Sequence, residues 1–363
     1  MKRKALWISI IGILLIGFVC LFCYRHYIRQ KQIEQKKHTG LVSEDFPVQD
    51  IKHQSKNIYE DAYQTEADNQ LQNMRNNNSY TIEDPLVVWN PYGTNTGSFY
   101  YYGVSEQESY VVCEVTCNNG SVIKHRLKND SDSGVTKTHE YLITGLAPGL
   151  ENHFSLAFYD AGNNLIHTYQ YTVTLKKDKQ IPAITKVEKG NSKSSLTDGL
   201  FAVLGHDKSK AKNIYYYDNN GICRGKTPLN DYRTDRILTI DGKLVYSYSL
   251  TDIAFVNRLG KVEKTLSLGK YELHHDFMYD EKRNELLCLV NDTDKDTIED
   301  VLISVNIETG KIKKLVDFEK MMKSMRKRSV QRKGGKNTYG GTELDWLHLN
   351  SLDMINDKDA VFS

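Results

Sequence analysis

The stretch DGKLVYSYSLTDIAFVNRLG (241–260) decides the fold class. It opens on the turn pair Asp241-Gly242, runs through Leu244-Val245-Tyr246, crosses a polar turn, and resumes at Ile253-Ala254-Phe255-Val256 before Leu259-Gly260. Short β-branched and aromatic runs closed by Asp-Gly or similar turns are the signature of antiparallel hairpins. The phrase recurs on both sides, at Asn213-Ile214-Tyr215-Tyr216-Tyr217 before Gly221 and at Val301-Leu302-Ile303-Ser304-Val305 before Gly310. Repeated units of strand, glycine turn and strand are how β-propeller blades present their hairpins. Residues 183–363 are therefore expected to be all-β and to form propeller blades.

One self-match is sharper. Leu273-His274-His275-Asp276 lies 74 residues before Leu347-His348-Leu349-Asn350, and each is followed by an apolar strand, Leu286-Leu287-Cys288-Leu289 and Ala360-Val361-Phe362. This alignment pairs His274 with His348 and Asp276 with Asn350. Equivalent positions of different blades point alike, so both histidines are expected at one central channel. The offset exceeds the usual blade length of about 40–45 residues. An insertion accounts for the excess: Lys320–Lys336 is rich in Lys and Arg, with helical spacing at Met321, Met322 and Met325.

Towards the N-terminus, residues 81–176 carry turn-bounded strands at 86–89, 97–102, 110–115 and 154–159, the texture of an antiparallel β-sandwich. Tyr141-Leu142-Ile143-Thr144-Gly145-Leu146-Ala147-Pro148-Gly149 resembles the strand-end turn of fibronectin-III-like modules. Cys113 and Cys117 fall on one strand face about 13 Å apart, too far for a disulfide. Residues 25–80 are polar and read as a stalk, with a helix over 61–71. Residues 1–24 begin Lys2-Arg3-Lys4 and continue as ALWISIIGILLIGFVCLFCY (5–24), long enough at about 1.5 Å per residue to span a bilayer. Without a small-residue cleavage site after it, this segment is expected to be an uncleaved signal anchor and single transmembrane helix. Basic residues flank it on both sides (Arg25, Arg29, Lys31, Lys36 and Lys37 follow it), so the charges alone slightly favour a body inside the cell.

The chain has 363 residues, with 48 Lys and Arg against 46 Asp and Glu. A net charge of +2 argues against a nucleic-acid binder. Six cysteines, two of them in the apolar segment, make no disulfide scaffold. No Gly-rich phosphate loop, G-x-S-x-G phrase or zinc spacing is present, and no cofactor or metal site is expected. Asp292, Asp294 and Asp296 begin like a calcium loop, but Thr297 and Ile303 stand where it needs Gly and Glu. Two histidines brought to one funnel, each near a carboxylate or amide, fit proton transfer and oxyanion stabilisation. The candidate catalytic residues are His348, His274 and His275, with Asn350 and Asp276 as substrate-binding partners.

Three phrases together resemble the bacterial arylsulfate sulfotransferases: Asp84-Pro85-Leu86-Val87-Val88-Trp89-Asn90-Pro91-Tyr92-Gly93-Thr94-Asn95, Leu273-His274-His275-Asp276-Phe277 and Asp345-Trp346-Leu347-His348-Leu349-Asn350-Ser351. The resemblance runs from about residue 80 to the end. It implies an N-terminal sandwich followed by a six-bladed propeller, acting outside the cytoplasm without a nucleotide sulfate donor. The implied partners are an aryl sulfate donor and a phenol acceptor, with transfer through a sulfated histidine. His348 matches one channel histidine of the family, and His274 or His275 matches another. The family's channel arginine and its nucleophilic histidine would fall beyond Ser363.

Six blades need about 250–300 residues, whereas about 180 follow Pro182. Three or four blades are expected, in a ring that does not close, and the chain is expected to be an inactive fragment. The competing reading is a membrane-anchored, non-catalytic surface binding protein. Homodimerisation is left open.

Overall fold

The computed structural model describes residues 48–178, 188, 190, 199–205, 212–231, 234–329, 343–356 and 359–363. The expected membrane anchor over 1–24 lies outside the described residues. Among the described residues, no helix is long and apolar enough to cross a membrane. The expected all-β character holds: apart from one long helix, the regular secondary structure of the described residues is mostly antiparallel sheet.

The first unit contains β1 (Leu86–Trp89), β2 (Ser98–Cys117), β3 (Ile123–Arg126), β4 (Thr136–Thr144), β5 (Glu151–Tyr159) and β6 (Leu165–Thr174). The strands expected at 97–102 and 110–115 are one strand. β2 pairs with β1 and β4 through its first half and with β3 and β5 through its second, bending at an irregularity between Val104 and Ser109. A strand that bends from one layer to the other lets a single sheet fold over on itself. Phe99, Tyr101 and Ile143 from one half meet Val115, Phe154 and Leu156 from the other in one core. The Phe99 and Phe154 rings lie 5.1 Å apart, centre to centre. Cys113 and Cys117 are buried free thiols, as their spacing on one face required.

Helix α1 (Asp61–Asn77) corrects the expectation of a free polar stalk over 25–80, as far as its described part goes. Its Ala67 and Leu71 are buried with Leu86, Val88 and Tyr100 on the outer face of the sandwich. Gln64 donates to the carbonyls of Ile58 and Tyr92 and accepts from the Val262 amide. The helix is polar on average because only a narrow stripe, Gln64, Ala67 and Leu71 at i, i+3 and i+7, needs burial.

The remaining strands form successive sheets. A three-stranded sheet holds β7 (Phe201–Val203), β8 (Asn213–Tyr217) and β9 (Cys223–Pro228). A four-stranded meander follows: β10 (Ile237–Ile240), β11 (Lys243–Ser247), β12 (Asp252–Val256) and β13 (Val262–Ser267). The next sheet runs β14 (Tyr271–Asp280), β15 (Glu285–Asp292), β17 (Val301–Asn306) and β18 (Ile312–Asp317), with the short β16 (Thr297–Ile298) between β15 and β17 in sequence. Two short helices, α2 (Phe318–Met321) and α3 (Lys323–Arg326), replace the single helix expected in the insertion. β19 (Leu344–Asp345) pairs in parallel with β16, and β20 (Leu352–Met354) forms a hairpin with β21 (Ala360–Phe362).

The central strands β12, β15 and β17 are buried on both faces, as their near-continuous apolar runs require. Val245, Ile253 and Phe255 face the next sheet, meeting Phe277, Leu286 and Cys288. The alternate residues Tyr246, Ala254 and Val256 face the preceding one, with Ile214. Leu287 and Leu289 turn the other way, towards Leu349 and Leu352.

The sandwich and the first sheet are joined by a buried ion pair. Arg224 and Asp218 side chains are both fully buried, with Nε 2.7 Å from Oδ2. Arg224 Nη1 donates to the Gly145 carbonyl at 2.8 Å and Nη2 to that of Ser121 at 2.5 Å. Gly97 is required at this seam, because a Cβ there would stand 1.7 Å from the Arg224 carbonyl oxygen.

Candidate active site

The site grows from a defect in β14. Leu273 pairs with Val290 and Phe277 with Cys288, so four steps along β14 match two along β15. The two extra residues form a bulge that carries His274, His275 and Asp276, and His275 takes a φ of 56°. Bulges re-aim side chains that a regular pleat would send to alternate faces. His348 also has a left-handed backbone, φ 57°, as does Glu299 at φ 60°. Non-glycine residues held in this region cost free energy and cluster where the surrounding structure over-determines them.

The three converge. The fully buried Glu299 lies between two imidazoles: its Oε1 is 3.4 Å from His275 Nε2, and its Oε2 contacts His348 Nδ1. Asp345, with its side chain almost wholly buried, holds the same His348 Nδ1 at 2.8 Å. The rings of His275 and His348 are 5.4 Å apart, as are those of His274 and His275. His274 is buried, and burial pushes its imidazole down to about 3 despite the opposing pull of Glu299. It is therefore a neutral ring at physiological pH.

The residues expected from sequence fall into two groups. His274, His275 and His348 are brought together, as the self-match required. The backbone, however, makes His275 rather than His274 the counterpart of His348: both have left-handed φ and both address Glu299. Asp276 and Asn350 do not play matching parts. Asp276 holds Arg236 at 2.6 Å and accepts from the Leu352 amide at 2.9 Å, tying β14 to β20. Asn350 is exposed and its side chain donates to the His348 carbonyl at 3.0 Å.

Sequence reasoning missed Glu299 and Asp345. A signal for each was present: Glu299-Asp300 stands between the β-branched pair Thr297-Ile298 and the apolar Val301-Leu302, where acids are costly unless partnered. Asp345 lies three residues before His348. Asp300 is a supporting carboxylate, accepting from Trp346 Nε1 at 2.8 Å and pairing with Lys295 at 3.0 Å. Of the acids in the stretch that begins like a calcium loop, Asp292 is held at 2.7 and 2.6 Å by Lys270 and Lys314. Two triads here have ligand atoms within 4.8 Å of one another, His274–His275–Glu299 and Glu299–Asp345–His348.

Residues 185–363, which contain this whole cluster, match the arylsulfotransferase (ASST) family model. These residues belong to the arylsulfotransferase family. No curated protein matches it in sequence. Among solved structures, similar chains include Sqt1 of Saccharomyces cerevisiae, at 11% identity over 63% of this chain and 61% of that one, with a TM-score of 0.23. Glutaminyl cyclase of Myxococcus xanthus matches at 11% over 51% and 72%, TM-score 0.22, and a chain of a mitotic checkpoint complex at 13% over 61% and 74%, TM-score 0.24. The chain spans less than two thirds of Sqt1, and scores of this size bear on neither fold nor function.

Proposed function

We propose that this chain carries the histidine wall of an arylsulfate sulfotransferase site, moving a sulfuryl group from an aryl sulfate to a phenol. The observation that carries the reading is the meeting of His275 and His348 on buried Glu299, within the residues that match the family. In the reaction the ester S–O bond of the donor breaks and a new S–O bond forms to the acceptor. The departing phenolate gains a proton and the acceptor phenol loses one. A histidine whose Nδ1 is held by carboxylates has Nε2 left to face the substrate, fixed in tautomer and orientation. His348 has that arrangement with Asp345 and Glu299, and we assign it the bond to the sulfuryl or phenol oxygen where charge develops. His275 takes the matching place on the other side of Glu299. The resemblance supplies the finer step, passage through a sulfated histidine.

The successive meanders are read as propeller blades, a reading supported by their alternate burial on neighbouring sheets. By the same resemblance we read the body as lying outside the cytoplasmic membrane, with the apolar run of residues 1–24 read as its anchor. The test is binding and turnover of 4-nitrophenyl sulfate with phenol as acceptor. His348→Asn should weaken donor binding or slow nitrophenol release at least about 100-fold. Unchanged binding and turnover would remove His348 from the site.

A further inference from the structure

The histidine cluster holds more ligating groups than hydrogen bonding to a sulfate ester requires. Two carboxylates reach it, Glu299 with no exposed side-chain surface and Asp345 with 2%, and three imidazoles surround them. Buried carboxylates at this density need a positive charge beside them. His274 adds an independent observation. It is 4% exposed, it belongs to the same cluster, and among the described residues neither of its ring nitrogens meets a well-aligned hydrogen-bond partner. An imidazole buried in an apolar layer would ordinarily satisfy at least one nitrogen.

We propose that His274, His275 and Glu299 bind a divalent transition-metal cation of the zinc type. Two ligands each about 2.0–2.1 Å from a tetrahedral zinc stand about 3.3 Å apart. His275 Nε2 and Glu299 Oε1 are 3.4 Å apart, and the third ligand atom, on His274, lies within 4.8 Å of both. Closing that last gap needs a shift of at most about 1.5 Å, within reach of a ring rotation at the bulge. Three protein ligands leave a fourth position for water or a substrate oxygen, the pattern of an open rather than a structural site. Behind the triad, His348 Nδ1 holds the second oxygen of Glu299 and is itself held by Asp345. Such outer-shell support fixes the orientation of a ligating carboxylate. The sequence showed no metal spacing because the ligands come from a strand bulge and a turn some two dozen residues later.

The test uses the full chain, solubilised in mild detergent, stripped with a chelator and titrated with Co2+ and then Zn2+. One equivalent of Co2+ should give the visible bands of a four-coordinate site, and Zn2+ should displace them. His274→Ala should weaken Co2+ binding more than about tenfold, and Asp345→Asn by about tenfold through loss of orientation. His153→Ala, at an exposed histidine of the sandwich, should leave binding unchanged. Far-UV circular dichroism of each stripped variant separates loss of a ligand from loss of the fold. Absence of a stoichiometric Co2+ spectrum in the well-folded chain overturns the proposal. Loss of binding in Asp345→Asn with full binding in His274→Ala overturns this placement. The readout is independent of sulfuryl transfer, so a chain that binds Co2+ but neither binds nor turns over 4-nitrophenyl sulfate counts against the proposed function only.

Discussion

Replacing Arg224 by Met should destabilise the junction between the sandwich and the first sheet more than any single surface change. The guanidinium is fully buried and makes three bonds: to Asp218 at 2.7 Å, to the Gly145 carbonyl at 2.8 Å and to the Ser121 carbonyl at 2.5 Å. Methionine fits the aliphatic path but leaves Asp218 as a buried, uncompensated charge. Breaking a buried pair on one side costs about 3–5 kcal/mol. Each of the two carbonyls that lose their donor costs about 1 kcal/mol or more, so the total should be about 5–7 kcal/mol. A domain's whole stability is about 5–15 kcal/mol, so the variant sits near its folding limit. Asp218 Oδ1 also accepts from the Asn220 and Ile222 amides, both at 2.9 Å. An amide oxygen can keep those bonds, so Asp218→Asn in the same chain should recover at least about 2 kcal/mol. Arg75→Ala, which removes a partly exposed pair with Glu140, should cost only about 1 kcal/mol and serves as the comparison. Urea unfolding followed by far-UV circular dichroism reads all four chains. If Arg224→Met unfolds within about 1 kcal/mol of the parent, or Asp218→Asn gives no recovery, the buried-pair argument is wrong.

Other outcomes follow from single sites. Leu71→Ala should cost about 2–4 kcal/mol, because Leu71 is buried between α1 and the sandwich; a helix on a free stalk would give no change in the urea midpoint. His139 is buried against Ser105, Ser109 and Tyr141, and burial pushes its imidazole down to about 4. The unfolded ring takes up its proton near 6.5, so this contribution is complete above that pH. It is lost as pH falls from about 6.5 to about 4, by about 3 kcal/mol. His139→Asn should flatten that part of the difference between urea midpoints at pH 7.5 and 4.5, and an identical pH dependence in the variant would remove His139 as its source.

Local patterns wrote much of the fold into the sequence. Leu86–Trp89, Asn213–Tyr217 and Ala360–Phe362 are strands where the alternation and the flanking turns put them. Each depends on a few neighbouring residues and a Gly or Asp turn, so it is legible without knowing what lies across the sheet. The meeting of two distant histidine phrases was legible too, because the phrases repeat. Their register was not. A two-residue bulge in β14 gives His275 the position that a strict 74-residue offset assigns to His274, and only the pairing of Leu273 with Val290 and Phe277 with Cys288 reveals it.

Glu299, Asp345 and the docked face of α1 were decided by tertiary structure for the same reason. A carboxylate or a polar helix looks solvated in a linear chain, and its cost or value appears only when burial removes the water around it. Glu299 becomes the centre of the site because β16 and β19 pair in parallel and bring His348 to it. The sequence by itself determined which residue types reach this part of the arylsulfotransferase-family region. The packing of sheets far apart in sequence decided which of them touch, and hence which can hold a proton, a sulfate oxygen or a metal ion.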